Sequence, residues 1–191
     1  MGMHPGVGTE GPDRRHGAGH PALAESHNRR VREVPSFVEI IELDASDARF
    51  GRVLSLAAAI LHQDRYLDRE HPHASESHVL AAFDAEKCVG FLRYLVQVIG
   101  AEEGRPPVLR SGALLTEGYV EAFGVDPALR RHGIGSTLQA TAIRRCRAAG
   151  CHQMRSRSPT TSTENYALKI ETGYVLTPSE QNNSYYFLLK L

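Results

Sequence analysis

From residue 37 onward, short β-branched runs alternate with stretches whose apolar residues recur every three or four positions. Residues 37–43 (FVEIIEL) predict a strand. Asp44 or Ser46 is placed to cap a helix whose stripe is Phe50, Val53, Leu54, Ala57, Ile60 and Leu61. The polar stretch 63–77 predicts a further short helix and a loop through Pro72. Residues 78–83 and 88–99 predict a hairpin turning at 84–87, residues 100–110 a loop, and residues 114–125 another strand. A second helical stripe then runs through Ile134, Leu138, Ala142, Ile143, Cys146 and Ala149, and Gly150 stands where a helix-ending glycine belongs. A short strand near Met154 follows. Thr161 and Glu164 have capping-box spacing for a helix that ends at Gly173. Residues 174–176 and 185–190 close the chain as strands. The predicted order is β-α-α-β-β-β-α-β-α-β-β, a mixed α/β fold with a central twisted sheet of about seven strands flanked by helices and no internal repeat.

Residues 1–35 differ in kind. They hold 6 of the 17 glycines and 4 of the 10 prolines and almost no large apolar side chains, so they cannot offset the entropy of ordering. They read as a disordered tail ahead of one domain at 36–191. Twenty-two basic and 22 acidic side chains cancel, which argues against a nucleic-acid protein with a broad cationic surface. No apolar run approaches the ~20 residues that cross a bilayer, so no membrane partner is expected. Three cysteines, Cys88, Cys146 and Cys151, form no even framework and no CxxC pair, which points to a reducing, cytoplasmic setting.

The chemistry concentrates in Val125-Asp126-Pro127-Ala128-Leu129-Arg130-Arg131-His132-Gly133-Ile134-Gly135-Ser136, between a strand and an amphipathic helix. Glycines at a helix start let a ligand approach the backbone, and first-turn N–H groups have no partner inside the helix. With the positive end of the helix dipole, such donors suit a diphosphate. No Lys-Ser/Thr follows the glycines, which excludes a P-loop. Leu138 stands where a dinucleotide fingerprint needs its third glycine.

Val125-x-Pro127-x-x-Arg130-x-x-Gly133-x-Gly135 resembles the acyl-CoA-binding signature V-x-P-x-x-[QR]-x-x-G-x-[GA] of the GNAT superfamily of N-acetyltransferases. Residues 119–124 (YVEAFG) are similar to the family's fourth strand, and residues 165–174 to its penultimate helix, which commonly ends in Gly-Phe or Gly-Tyr. The resemblance implies transfer of an acetyl group from acetyl-CoA to a primary amine, a small molecule or a peptide, by direct attack. It implies that the main chain of Arg131, His132, Gly133, Ile134, Gly135 and Ser136 cradles the diphosphate, with Arg130 beside it. Phe123, Gly124 and Val125 would pair with the pantetheine arm as an added strand, and one main-chain N–H there would polarise the thioester carbonyl.

An amine at neutral pH is protonated, so attack needs a proton acceptor. Glu121 is the candidate base, since related sequences often carry a glutamate at that place. Strand parity sets it on one face with Tyr119, Phe123 and Val125, where apolar neighbours would raise its pKa. The family's usual general acid is a tyrosine four residues before the helix-ending glycine. Lys169 occupies that position here, and Tyr166, one turn earlier, is a substitute. Ser162 replaces an asparagine often found near this helix's start, with Asn165 three residues on. Both are candidate coenzyme contacts. His71, His73 and His78 invite a metal reading that no ligand spacing supports, and they read as a solvated loop. Arg155 and Arg157 share a strand face and are weighed as contacts for the coenzyme's 3′-phosphate or as a solvated edge. The expected amine pocket lies between residues 50–71, the strand ending at Val125 and the C-terminal hairpin, with Asp64, Asp68 and Glu70 available to a cation. A non-catalytic acyl-CoA sensor and a transferase for longer acyl chains are the rival readings, and a homodimer is left open.

Overall fold

The structure is a computed structural model that describes residues 38–180 and 183–191. The tail read at residues 1–35 lies outside the described residues. Nine strands and three α-helices follow in the order β1 (Val38–Leu43), α1 (Phe50–Ala59), β2 (Ala74–Asp84), β3 (Lys87–Val98), β4 (Leu109–Arg110), β5 (Ala113–Leu114), β6 (Thr116–Val125), α2 (Ile134–Ala148), β7 (Gln153–Pro159), α3 (Thr163–Thr172), β8 (Val175–Pro178) and β9 (Ser184–Lys190) among the described residues. Seven strands form one sheet in the order β1-β2-β3-β6-β7-β9-β8. Every neighbouring pair in it is antiparallel except β6 and β7. The parallel step is where α2 crosses over, as a parallel connection requires.

Each face of the sheet buries its own core. On one face Phe50, Val53 and Ala57 of α1, with Ile60 just after it, pack on Phe83, Phe91 and Ala122. On the other, Ile134, Leu138, Ala142 and Cys146 of α2 meet Leu92, Tyr94, Val120, Met154 and Phe187. The chain must come very close at Gly118, where an added Cβ would lie 2.3 Å from Cys146 Sγ. Any side chain there would lift α2 off β6.

The predicted mixed α/β architecture with seven sheet strands is the one observed. Local details differ for tertiary reasons. The second helix of the first pair is a single 3-10 turn at Gln63–Tyr66. Residues 100–115 hold a 3-10 turn and the small β4–β5 hairpin. Neither predicted cap performs: Asp44 accepts from Ser46 N within a turn instead of starting α1. The backbone of α3 begins after Ser162 with no side-chain cap. Glu164, the expected capping-box partner, turns outward to Arg130. No described helix is long and apolar enough to cross a membrane.

Candidate active site

β6 and β7 pair only from Glu117↔Gln153 to Val120↔Ser156. Beyond that point each strand keeps its outer neighbour: β6 stays on β3 as far as Val125↔Gly90, and β7 stays on β9 as far as Pro159↔Ser184. A V-shaped gap therefore opens in the middle of the sheet. Alternate residues of an antiparallel strand turn N–H and C=O to opposite edges. Phe123 and Val125 turn theirs away from β3, into this gap. Buried main-chain groups need partners, and at Phe123 the partner is a side chain. Gln63 accepts from Phe123 N–H (2.9 Å) and donates to its C=O (3.2 Å). Gln63 follows Leu61 and His62, two non-glycine residues in left-handed backbone conformation, which costs about 1–2 kcal/mol each.

One residue of β6 has no opposite number. Arg93 faces Ala122 and Tyr94 faces Val120, which leaves Glu121 as a bulge. The bulge reverses the strand's alternation and overturns the parity reading. Phe123 and Val125 pack against Gly135 on the α2 face. Glu121 instead meets residues held over the α1 face. Its side chain is 6% exposed. His71 Nε2 lies 2.6 Å from Oε1, though not at the angle of an aligned hydrogen bond, and Arg93 Nη1 lies 3.3 Å from Oε2. Burial raises the Glu121 pKa, and His71 and Arg93 pull it back down without cancelling the rise. The expected direction of the shift thus arises in different surroundings.

Arg93 was not singled out from the sequence, yet it organises this corner. From the buried middle of β3 it donates to the carbonyls of Tyr66 and Arg69 and to Ser77 Oγ, pinning the segment that carries His71. A lone charge within the apolar run of residues 88–96 was the available signal, because arginine is rarely buried unless paired. His71 is largely covered and lies against Glu121, so it is not part of a solvated loop. His78 stacks on Tyr94 and contacts Glu42 and Glu76, and His73 is exposed.

At the wide end of the gap, Arg131 (φ 64°) and Gly133 (φ 83°) are both left-handed, and Gly133 begins α2 with no side-chain cap. The N–H groups of Ile134, Gly135 and Ser136 open the helix there, so backbone donors and the helix dipole converge at this end. His132 Nδ1 donates to the Arg130 carbonyl, which fixes the loop. Arg130 Nη1 pairs with Glu164 Oε2 at 2.8 Å, tying the loop to the start of α3. A cleft of about 440 Å³ between the end of α1, this loop and the start of α3 includes Arg130, Ser162 and Leu61. Two of the candidate glycines face inward. A Cβ on Gly124 would lie 2.7 Å from Phe91, and one on Gly135 would lie 3.1 Å from Phe123 and 3.3 Å from Leu168. They let β6 and α2 close on their neighbours.

α3 and β7 form the far wall. Tyr166 donates to the Ser158 carbonyl at 3.3 Å and packs edge-on against Tyr185 and Phe187. Burial raises its pKa. Asn165 Nδ2 donates to Ser158 Oγ. Lys169, fully buried, donates to Ser156 Oγ at 2.5 Å and Ser158 Oγ at 2.8 Å. Arg155 is bound to Glu117 and Glu102 within the sheet's other face, away from the gap, and Arg157 is exposed. Among the described residues no group of three potential ligands is placed to hold a metal.

The sequence pattern of the Acetyltransferase (GNAT) family matches residues 39–168. No curated protein matches the chain in sequence. Among solved structures, NAA60 of Arabidopsis thaliana in complex with acetyl-CoA superposes with a TM-score of 0.64 at 14% identity, covering 81% of this chain and 98% of that one. The GNAT domain of S. lividans PAT gives 0.59 at 18% identity, covering 81% and 90%. An aminoglycoside acetyltransferase from an uncultured soil metagenomic sample gives 0.56 at 19%, covering 78% and 94%. These likenesses establish the fold, and the family pattern spans β1 to α3 with the gap and helix mouth inside it. The chain belongs to the GNAT acetyltransferase family.

Proposed function

We propose that this acetyltransferase moves the acetyl group of acetyl-CoA to a primary amine by direct attack, with Glu121 as proton acceptor. One observation carries the reading: a single gap joins an uncapped glycine helix mouth, an unpaired strand edge and a buried carboxylate of raised pKa. The diphosphate lies on the main chain of residues 131–136 with Arg130 beside it. The pantetheine amides take the edge of Phe123 and Val125 once Gln63 swings aside, and Ser162 and Asn165 flank the arm from α3. The Phe123 N–H, released from Gln63, then faces the thioester carbonyl and stabilises charge that grows during attack. Glu121 takes a proton from the amine directly or through one water, and Arg93 and His71 hold the carboxylate in place. The acceptor is a small-molecule or peptide amine, and the reduced thiols Cys88, Cys146 and Cys151 suit a cytoplasmic enzyme.

Acetyl-CoA incubated with a panel of amines, with free thiol as the readout, tests the reading. Turnover of at least one amine is expected. Glu121→Gln should lower kcat/KM by on the order of 10²-fold or more while calorimetry shows unchanged coenzyme affinity. Tight coenzyme binding with no turnover on any amine would leave a sensor domain in place of an enzyme.

A further inference from the structure

Arg157 has no task in the chemistry above. Its side chain is exposed, and among the described residues no ion pair or hydrogen bond holds it. Carboxylates do gather on its side of the sheet, but each is claimed by another arginine. Arg155 binds Glu117 and Glu102, and Arg105 binds Glu103 and Glu180. One guanidinium is therefore left over on this surface.

Its position gives it meaning. The parallel pairing of β6 and β7 ends at Val120↔Ser156. The next residues on the two strands are Glu121 and Arg157, so they stand on opposite banks at the apex of the gap. They also share a face. Arg157 lies two residues beyond Arg155 and opposite Tyr186 of β9, and residues two apart on a strand point the same way. The Arg155 guanidinium lies over the rings of Tyr119 and Tyr186, and the Arg157 charge acts on both of those phenols. Met154 and Ser156 turn to the other face, where α2 and α3 pack. The mouth of α2, which would take the diphosphate, belongs to that other face. Arg157 thus looks away from the coenzyme's phosphates, on the side where Glu121 leans back onto His71 and Arg93.

Resting on the acetyl-transfer reading, we propose that Arg157 binds a carboxylate on the acceptor, and that the acceptor is a free amino acid. The two banks part from ordinary strand spacing, about 4.8 Å, with a carboxylate on one and a cation on the other. A small molecule that spans them favourably carries the opposite charges in the opposite order. A free amino acid does so: its ammonium faces Glu121 and its carboxylate faces Arg157. The planar guanidinium suits a carboxylate because two parallel N–H donors meet two oxygens. A diamine would set a second cation against Arg157, and a peptide N-terminus has no α-carboxylate beside its amine. Arg157 is a specificity-determining residue, and Glu121 keeps its role as proton acceptor.

The test measures thiol release from acetyl-CoA with a panel of free amino acids, each set against its α-carboxamide, together with a diamine and a short peptide. Wild type is expected to favour at least one amino acid over its carboxamide by roughly 10- to 100-fold in kcat/KM, as a charge-assisted hydrogen-bonded pair provides. Arg157→Gln should remove that preference, mainly by raising KM for the amino acid. It should change carboxamide turnover less than about twofold and leave acetyl-CoA affinity unchanged by calorimetry. Arg157→Lys keeps the charge without the fork and should restore only part of the preference. Arg157→Glu should reverse it in favour of the carboxamide or the diamine. A wild-type enzyme that prefers the carboxamide, the diamine or the peptide would overturn this assignment alone. So would Arg157→Gln lowering both members of a pair alike, or the preference vanishing in Arg69→Gln and surviving in Arg157→Gln. A wild-type enzyme that acetylates no amine would overturn the underlying reading as well.

Discussion

Glu121 and Arg93 show how one residue's chemistry depends on a neighbour 28 positions away in sequence but adjacent across a strand pair. Burial pushes the Glu121 carboxyl upward, and Arg93 is among the charges restraining that rise. A base works only when deprotonated, so the acid limb of the kcat/KM profile should lie above the ordinary carboxylate range. Arg93→Met removes a favourable charge, raises the Glu121 pKa further and should move that limb to still higher pH. It also frees the carbonyls of Tyr66 and Arg69, which Arg93 now binds. Breaking a buried pair from one side costs roughly 3–5 kcal/mol, so thermal unfolding should show a large loss alongside the shifted limb. An unmoved limb would mean that Glu121 does not carry the titration. Glu121 was visible in the sequence as a candidate because it sits in a recognisable stretch. Its true neighbours were not, because the bulge exists only where β6 meets β3. His71 was misread for the same reason, since nothing local ties a polar loop to a strand 50 residues later.

Elements built from contiguous residues were the most legible. Arg130, Gly133 and Gly135 lie within six positions of one another, so their joint arrangement before α2 follows from local backbone rules. The strained joint between α1 and the following 3-10 turn was not legible. Nothing in residues 61–63 announces two successive left-handed residues or a glutamine aimed at the main chain of Phe123. On the proposed binding mode, that glutamine and the coenzyme claim the same strand edge. Gln63→Ala removes both of its hydrogen bonds to Phe123, each contributing about 1 kcal/mol net. Acetyl-CoA affinity should therefore rise by roughly 30-fold by calorimetry, while weaker binding would show that Gln63 is a coenzyme contact.

Across the molecule, the succession of strands and helices was legible because each carries its own period, whereas the order of strands in the sheet and the gap between β6 and β7 come from long-range pairing. Residues 1–35 carry almost no large apolar side chains. A chain beginning at residue 36 should unfold at the same temperature and release thiol at the same rate; a marked loss of either would assign that segment a role. The gap itself has a further consequence. Within the sheet, four strands on one side and three on the other share four paired positions between Glu117 and Ser156, while α2 packs across both sides. A donor molecule that bridges both banks acts as a rivet, and a ligand at 100 times its Kd adds about 2.7 kcal/mol to folding. The enzyme's lifetime in a cell would then track the supply of activated acetate, with the empty form the first to be cleared when that supply runs low.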